Sequence, residues 1–380
     1  MATESSMSEE ERALLLETVR ALVAGKIEPN GRMIDEEARI SPEVYRSLVD
    51  SGMHASTIPS VYGGGGASVA DAVLLVEEVA KGSGAVASIL AMNLAGVEAI
   101  AASSNEQVKS RLLPEVSRGE KLLVWSADPS ESHGGIVASI SSEGVLLNGT
   151  AHWIPCYEVG AARVVLLEVE IKRGSYLLAV EVDDAKSGQV ELGSLESDLG
   201  LRGAPLRSVT FQNMLVDQEA MIVASVPGGR ASRALSSVGQ IAIAAQANGI
   251  GASALSHARS YAAERHQFGV PIMDFESTRT ILGTMAVNLE AARQLTYAAA
   301  DRFDRKDGAS TDETLLELSA KWFSSKMAVE AAIDAIQVFG GYGFVKDYPV
   351  ERLMRDAKMT QLMMGTGQII AIADAVGKAL

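Results

Sequence analysis

The segment that decides the fold of this chain lies near its C-terminal end. It reads GGYGFVKDYPVERLMRDAK over Gly340–Lys358 and is followed by MMGT over Met363–Thr366. Helical periodicity precedes the paired glycines and returns after Pro349, so the glycines lie in a connection between two helices. Because glycine has no side chain, such a pair either forms a helix C-cap and turn or lets a ligand approach the backbone closely.

Composition and charge exclude several classes of protein. Hydrophobic residues make up 47% of the 380 residues and charged residues 21%, which is typical of a globular protein. The net charge of −15 argues against a nucleic-acid binder, because such proteins neutralise phosphates with clustered lysine and arginine. The single cysteine, Cys156, excludes an intrachain disulfide, and no histidine or cysteine spacing indicates a metal site.

The N-terminal sequence and the hydropathy favour a cytoplasmic protein. The chain opens with MATESS and then turns acidic, without the basic and apolar regions of a secretory signal peptide. No apolar run is expected to be long and uninterrupted enough to cross a bilayer. We therefore expect neither a membrane nor nucleic acid among the partners.

The spacing of apolar residues divides the chain into helical, strand-like and helical parts. After a capping box at Ser8, the helical period predicts helices over Ser41–Ser51, Val69–Lys81, Ala85–Ser103, Asn105–Gly119, Ala231–Glu264, Phe275–Phe303, Thr311–Val338 and Val350–Met363. Short runs between turn residues predict strands over Leu122–Ala127, Gly135–Ser142, Val145–Asn148, Val164–Glu170, Ser175–Val182 and Ser208–Val216. This order favours an α+β fold with an N-terminal α-helical domain (1–120), a middle β domain (121–225) and a C-terminal helical bundle domain (226–380).

One glycine motif points to a different fold and is set aside. The run GIGASA at Gly249–Ala254 partly matches the dinucleotide-binding fingerprint. That fingerprint requires a strand before it, whereas residues 241–247 are Ala-rich and helical. We expect these glycines to allow close packing between helices.

Two long motifs resemble those of the acyl-CoA dehydrogenase family, FAD-dependent enzymes that oxidise acyl thioesters between Cα and Cβ. One is QVFGGYG at Gln337–Gly343 with the segment up to Lys358. The other is YAAERHQFGVPI at Tyr261–Ile272, similar to the family's Glu-Arg-x-x-Phe-Gly-x-Pro-Ile segment. The resemblance covers nearly the whole chain. It implies an N-terminal helical domain, a middle β-barrel or sandwich domain and a C-terminal four-helix bundle, with FAD between them.

The resemblance also implies which residues bind FAD and how the protein assembles. The implied cofactor-binding residues are Arg265 and Phe268, which would reach the FAD of a neighbouring subunit, Gln337, Gly340 and Gly341 at the ADP half, Trp153 and Ile154 against the flavin ring, and Thr366 at the cofactor and thioester. A guanidinium suits a pyrophosphate geometrically. Arg265 taken alone could form a surface ion pair, but the surrounding motif favours the cofactor role. Binding across an interface implies a homodimer or homotetramer.

The chain departs from the family at the residue that carries out the chemistry. Most members have a glutamate before the Gly-Thr pair, which removes the α-proton, and here this position is Met364, which is not a base. Some branches carry the base on the helix before the Arg-x-x-Phe-Gly motif; that position falls near Gly239, with Gln240 beside it. Pro155 stands where the family has a hydroxyl residue near flavin N5, and proline has no donor.

The loop over Ala127–Gly135 differs as well. It reads ADPSESHGG where the family has Thr-Glu-Pro-Gly-Ala-Gly-Ser-Asp, and it introduces Glu131 and His133 near the implied substrate entrance. Imidazole groups ordinarily titrate near neutrality, so His133 is a candidate for orienting a substrate carboxylate or protonating an intermediate. A loop histidine exposed to water is the alternative. Ala204 replaces a hydroxyl residue that commonly follows the family's Gly-x-Arg motif, seen here at residues 200–202.

These observations lead to one main hypothesis and two alternatives. The main one is an FAD-dependent oxidoreductase acting on an acyl thioester or related β-keto acid without the standard glutamate, in which loss of CO2 generates the enolate that a base normally makes. Its carrier would be CoA or acyl carrier protein, and an electron-transfer flavoprotein or O2, in a monooxygenase reaction, would accept the electrons. The alternatives are a non-catalytic or half-site subunit of a hetero-oligomer, and an ordinary acyl-CoA dehydrogenase whose base is relocated to Glu131, Asp128 or Glu158.

Overall fold

Helices form the first part of the chain in the computed structural model, which describes residues 9–127, 135–171, 174–182, 188–217, 222–224, 229–305 and 311–379. Ser68 and Ser83 cap two of these helices, each accepting a hydrogen bond from a backbone N–H in the first turn. Asn105 caps a third in the same way. The helices are α1 (Glu9–Leu22), α2 (Gly31–Glu37), α3 (Pro42–Asp50), α4 (Val69–Gly82), α5 (Gly84–Ala101) and α6 (Glu106–Ser117).

Helix α5 is the core helix of this part. Among the described residues it is the one helix long and apolar enough to span a membrane by length and composition, a run that the sequence expectation overlooked. In the fold, however, 89% of this helix is buried, because it packs against strand β1 (Lys121–Trp125) and the longest helix of the chain. A helix that is apolar on all sides is explained by this burial.

The middle of the chain forms two four-stranded sheets. The further strands are β2 (Ile136–Ile140), β3 (Val145–Pro155), β4 (Ala162–Ile171), β5 (Gly174–Val182), β6 (Val190–Leu192), β7 (Leu206–Val216) and β8 (Ile222–Ala224). One sheet has the order β1-β4-β5-β8 and the other β2-β3-β7-β6, and all neighbours are antiparallel except β1 and β4. The β3–β7 register shifts between Ala151 and Ile154, a bulge that includes Trp153 with a φ of 61°.

Long helices return after the sheets. They are α7 (Arg230–Glu264), α8 (Glu276–Arg305), α9 (Thr311–Phe339), α10 (Val350–Leu362) and α11 (Gln368–Ala379), with a hairpin of β9 (His266–Gln267) and β10 (Val270–Pro271) between α7 and α8. Helix α7 packs against α4, α5, α8 and α9. A Cβ on Gly249 would overlap the Glu77 carbonyl of α4 and lie 2.5 Å from Ala80 Cβ. The Gly249–Ala254 motif therefore serves helix packing, as expected, and not a dinucleotide turn.

The α+β class and the order of helical, sheet and helical parts are confirmed. The boundaries near residues 120 and 225 stay predictions. The periodicity missed the short elements α2, β6, β8 and the β9–β10 hairpin, because two- and three-residue strands and the seven-residue α2 contain too few residues to repeat a pattern. It also missed the twelve-residue α11.

Candidate active site

A cleft of about 490 Å³ lies where the end of α7 meets the end of α9. Its lining joins the two long motifs of the sequence: Tyr261, Arg265, Gln267, Ile272, Val338, Phe339, Gly340, Gly341, Tyr342 and Val345. The ring of Tyr261 stacks on Phe339 at 4.2 Å between centroids, and the Arg265 guanidinium lies 5.8 Å from the Tyr342 ring. Residues from distant parts of the sequence thus form one cationic and aromatic surface.

The paired glycines leave this cleft open. Gly340 has a φ of 58°, a left-handed backbone that other residues adopt at a cost. A Cβ added to Gly340 or Gly341 would meet no atom within 4 Å, so a side chain there would project into the open cleft. Backbone that a ligand can approach, next to a guanidinium, fits the pyrophosphate and ADP portion of FAD.

The hairpin that follows α7 holds an aromatic side chain in solvent. Phe268 is 94% exposed and has a φ of 53°, and its ring makes an edge contact with Phe275 at 6.4 Å. An aromatic ring in this position can lose its exposed apolar surface only against another molecule. Gln337 is exposed on the last turn of α9 and does not line the cleft.

A second cavity, of about 540 Å³, lies at the opposite end of α7. It is walled by the end of β1, by β4, by one face of α7 and by the turn after α10. Its lining residues are Trp125, Ser126, Ile136, Leu166, Leu167, Glu168, Ser232, Leu235, Ser236, Gln240, Leu318, Met364, Gly365, Thr366, Gly367, Gln368 and Ala371. We call it the acyl cavity.

Gly239 and Met364, the two positions at which the sequence resemblance implies a base, lie next to each other, and Met364 lines this cavity. A Cβ added to Gly239 on α7 would lie 2.8 Å from Met364 Sδ and 3.0 Å from its Cε. The methionine side chain therefore occupies the space that a larger residue at 239 would need. A thioether accepts no proton under physiological conditions, and glycine has no side chain, so neither position provides a base.

The turn that carries Met364 is held by hydrogen bonds to its carbonyl groups. Met364 and Gly365 have φ values of 62° and 79°. The Gln368 side-chain amide donates to the carbonyls of Met364 and Gly365 at 2.9 and 2.7 Å. Lys321, which is 1% exposed, donates from Nζ to the carbonyls of Gln361 and Gly365 at 2.8 and 2.9 Å. These bonds maintain a conformation that is unfavourable for methionine.

Ala127 links the Met364 turn to the sheet through its backbone. The Met364 N–H donates to the Ala127 carbonyl at 2.8 Å, and the Ala127 N–H donates to the Trp153 carbonyl at 2.8 Å. Next to it, Ser126 Oγ donates to the His152 carbonyl at 2.9 Å. The backbone of a single residue, Ala127, therefore connects the Met364 turn to the β3 bulge.

The residues expected against the flavin ring have different environments. Trp153 is 38% exposed at the bulge, whereas Ile154 and Pro155 are buried. Neither Trp153 nor Ile154 lines the acyl cavity, whereas Thr366 does. Pro155 pairs with Leu206 of β7 in the sheet and contributes no N–H there.

The structure tests some of the titratable candidates. Glu131, His133 and Asp128 lie outside the described residues. Glu158 is exposed and is not among the residues that line the acyl cavity, so nothing supports it as a relocated base. Cys156 is buried, with Arg163 Nη1 3.2 Å from its Sγ. The residues that the structure describes contain no cluster of three or more His, Cys, Asp or Glu that could hold a metal ion.

Sequence reasoning missed Glu168, the carboxylate that lines the acyl cavity. Glu168 and Glu170 both interrupt the apolar strand β4, and nothing in the sequence distinguishes them. In the fold Glu168 is half-buried at the cavity while Glu170 is exposed. Because side chains alternate along a strand, residues 168 and 170 point to the same side of the sheet. They differ only because the cavity extends to Glu168 and ends before Glu170.

The Leu199–Gly203 segment fixes the middle of the chain to α10. A Cβ on Gly200 would overlap the Arg355 backbone, so the approach requires glycine. The N–H of Leu201 donates to Asp356 Oδ1 at 2.6 Å. Burial raises the pKa of the Asp356 carboxyl to about 6, although this hydrogen bond acts in the opposite direction.

The fold and its two cavities define a flavin-dependent oxidoreductase, and comparison with known proteins gives its family. Models of the acyl-CoA dehydrogenase N-terminal and C-terminal domains match residues 8–120 and 228–378. An acyl-CoA dehydrogenase of Bacillus subtilis (strain 168) is 32% identical over 368 residues, covering 95% of this chain and 96% of that relative. The chain belongs to the acyl-CoA dehydrogenase family, and FAD is its cofactor.

Solved structures agree with this assignment over the full length. Butyryl-CoA dehydrogenase from Megasphaera elsdenii has a TM-score of 0.87 and 27% identity, covering 98% of this chain and 99% of the other. A glutaryl-coenzyme A dehydrogenase in complex with glutaryl-CoA has a TM-score of 0.86 and 27% identity, covering 98% and 97%. The roles of individual residues stay predictions and are developed below.

Proposed function

We propose that this FAD-dependent oxidoreductase oxidises an acyl thioester held in the acyl cavity by a route in which neither residue 364 nor residue 239 removes a proton. The observation that carries the proposal is the contact between Gly239 and Met364. Both positions that supply the family's base meet at one wall of the cavity, and neither carries a carboxylate. Dehydrogenation still requires an enolate, so another source of that carbanion is needed.

Loss of CO2 supplies the enolate without proton abstraction. In a thioester that bears a carboxylate on Cα, the thioester carbonyl lies β to the carboxylate, as the ketone does in a β-keto acid. The bond from Cα to the carboxylate breaks and its electron pair stays on Cα, conjugated with the thioester carbonyl. CO2 leaves, a hydride leaves Cβ, and the product is the α,β-unsaturated thioester. FAD, when bound, would supply the acceptor for this hydride, and an electron-transfer flavoprotein or O2 would be the final electron acceptor.

The chain's own residues would bind and surround the reactants. Arg265, Gly340 and Gly341 would hold the ADP portion of FAD in the 490 Å³ cleft. In the acyl cavity, the apolar side chains of Trp125, Leu166 and Met364 would exclude water from the substrate. An apolar surrounding favours CO2 loss, because the charge of the carboxylate is lost from that position as the bond breaks.

A matched pair of substrates tests this route. Butyryl-CoA and ethylmalonyl-CoA differ only by the carboxylate on Cα. We expect the FAD absorbance of the anaerobic protein to bleach with ethylmalonyl-CoA, releasing one CO2 per flavin, and to stay unchanged with butyryl-CoA. Bleaching by butyryl-CoA would contradict the decarboxylative route.

A second candidate function is supported by Glu168. Because its side chain lines the acyl cavity, it is the described carboxylate best placed to act as a relocated base in an ordinary acyl-CoA dehydrogenase. In that case butyryl-CoA would bleach the flavin, and Glu168→Gln would abolish the bleaching. Glu170→Gln, on the same strand but exposed, is the control. Flavin that no acyl thioester reduces would indicate a non-catalytic subunit of a hetero-oligomer.

We also propose that the protein is a homodimer or homotetramer that binds FAD between subunits. The acyl cavity at Gln240 and the cleft at Tyr261 are 21 residues apart on α7 (261 − 240), or about 30 Å at 1.5 Å per residue. This is longer than an extended FAD molecule, so the two sites of one chain would serve different FAD molecules. The exposed Phe268 supports an interface at the hairpin. Sedimentation of Phe268→Ser and of the wild type, each with FAD, would measure the assembly.

A further inference from the structure

We propose that Gln240 selects acyl groups that carry a hydrogen-bond donor, a hydroxyl or an N–H, close to the reacting carbons. The inference rests on the proposed function insofar as the acyl cavity must receive the acyl group. It adds a preference for a substrate class to which ordinary fatty acyl chains, which carry no such donor, do not belong.

The first observation is an acceptor without a partner. Gln240 is 5% exposed and lines the acyl cavity, and its Oε1 is buried with no hydrogen-bond partner in the protein. Its Nε2 points to the Met364 carbonyl at 3.4 Å, a long hydrogen bond. This contact fixes the orientation of the amide, because only the donor end can face a carbonyl oxygen.

The second observation is that Gln240 differs from the other residues with a buried, partnerless polar atom, because it lines a cavity of ligand size. Oε1 of Gln246 and Oδ1 of Asn248 also have no partner, but neither residue lines a described cavity. His54 Nδ1 borders a space of only about 10 Å³, which holds no more than one water molecule. Within the described part of the chain, Gln240 alone combines an unsatisfied buried acceptor with a cavity of ligand size.

The third observation places the acceptor near the reacting carbons. Gln240 follows Gly239, which faces Met364 at the position where the family's base acts. Ser236 and Ser232 lie on the same face of α7, one and two helical turns before Gln240, and also line the cavity. A polar stripe on α7 therefore begins beside the reacting centre and runs along the cavity. An unsatisfied buried acceptor costs free energy, and a donor on the substrate would remove that cost.

Binding of matched thioesters to the FAD-loaded protein tests the inference. The probes are pantetheine thioesters, because CoA and acyl carrier protein share this arm. They carry butyryl, butyryl with a hydroxyl on carbon 2, 3 or 4, or 3-aminobutyryl groups. Isothermal titration under anaerobic conditions gives each Kd. We expect at least one donor-bearing group to bind about tenfold more tightly than butyryl.

Two variants assign the preference to Gln240. Gln240→Met keeps the side-chain length without an acceptor, and it should bring the affinities for butyryl and the preferred group to within about twofold. Gln240→Glu keeps an acceptor and should retain the preference. FAD content and the thermal midpoint verify that each variant is folded.

The outcomes separate this inference from the proposed function. Equal affinity of the wild type for butyryl and every donor-bearing group overturns the inference and leaves acyl binding in the cavity intact. A preference that persists in Gln240→Met overturns the assignment to Gln240. No binding of any thioester overturns both. If Gln240→Met does not fold, the wild-type affinities still decide whether the preference exists.

Discussion

The cleft at the end of α7 and the acyl cavity at its beginning relate differently to the family's motifs. In the cleft, Arg265, Gly340 and Gly341 are the residue types that the family motifs require, and their positions fit a dinucleotide. In the acyl cavity, Met364 replaces the glutamate, although backbone hydrogen bonds hold its turn firmly in place. Under the proposed function, cofactor binding and the first chemical step would therefore depend on separate parts of one scaffold.

The largest effect is expected from a substitution that places a base in the acyl cavity and so removes this difference. Met364→Glu places a carboxylate of similar size on a turn whose backbone contacts are unchanged. We expect the rate at which butyryl-CoA reduces the bound flavin to rise about 10²- to 10⁴-fold, the usual contribution of a general base. Stopped-flow absorbance measures the rate. Met364→Gln has the same shape without a base and should show no increase.

This prediction has a defined point of failure. If Met364→Glu binds FAD and butyryl-CoA but gains no activity, the acyl cavity differs from the family's site in more than its base. In that case the cavity would bind the thioester without placing its Cα where residue 364 can reach it.

A second prediction concerns Asp356 on α10, the helix that connects the two regions. Its pKa of about 6 in the folded protein is higher than that of an unfolded aspartate, about 3.9. The protonated form therefore contributes stability below about pH 4, and this contribution is lost as the pH rises through about 6. Asp356→Asn should be more stable than the wild type at pH 8, by on the order of 2–3 kcal/mol, and similar near pH 4.

Thermal unfolding of wild type and Asp356→Asn between pH 4 and pH 8 measures this effect. Asp374→Asn, at an exposed position on α11, is the control and should follow the wild type. Parallel curves for wild type and Asp356→Asn at all pH values would contradict the raised pKa.

The third prediction tests the cleft alone. Arg265→Ala removes a guanidinium from the proposed pyrophosphate site, and we expect FAD affinity to fall about 10- to 100-fold. The FAD affinity of Arg265→Lys should lie between those of the wild type and Arg265→Ala, because an ammonium lacks the planar pair of donors. Fluorescence titration of the apoprotein with FAD gives the affinities. Arg39→Ala, at an exposed arginine paired with Glu37, is the control, and an unchanged affinity in Arg265→Ala would exclude this role.

The smallest effect concerns the support of the Met364 turn. Lys321→Met leaves the Gln361 and Gly365 carbonyls without the Nζ donor, and we expect the free energy of unfolding to fall by about 1–2 kcal/mol. Lys326→Met on the same helix removes an exposed ion pair with Glu330 and should cost only a few tenths of a kcal/mol. Thermal unfolding with saturating FAD measures both. Equal midpoints for the two variants would show that Lys321 does not hold the turn.

Much of the fold could be predicted from the sequence, because long helices and β-strands repeat their patterns several times. The helix expected over Ala231–Glu264 is observed as Arg230–Glu264, and the strand expected over Ser175–Val182 as Gly174–Val182. The bulge at Trp153 could not be predicted, because an unpaired residue in a strand leaves no periodic signal. The same holds for the three-residue strands β6 and β8.

The candidate site was predictable where a motif is local and not where it depends on packing. The glycines of the cleft and Met364 could be identified from neighbouring residues alone. The contact of Met364 with Gly239 joins residues far apart in the chain, and it emerges only from the packing of α7 against the turn after α10. Glu168 and the partnerless Oε1 of Gln240 likewise depend on which side chains the cavity leaves uncovered.

The position of Ala127 has a consequence for how this enzyme can change over time. Its two bonds to Met364 and Trp153 involve main-chain atoms only, so they do not depend on the identity of the side chains at positions 127, 153 and 364. The exceptions are proline at a donor, and β-branched residues at positions 153 and 364, where φ is 61° and 62°. A change of side chain at position 364 can therefore alter the chemistry available in the acyl cavity while the main-chain framework around it stays in place.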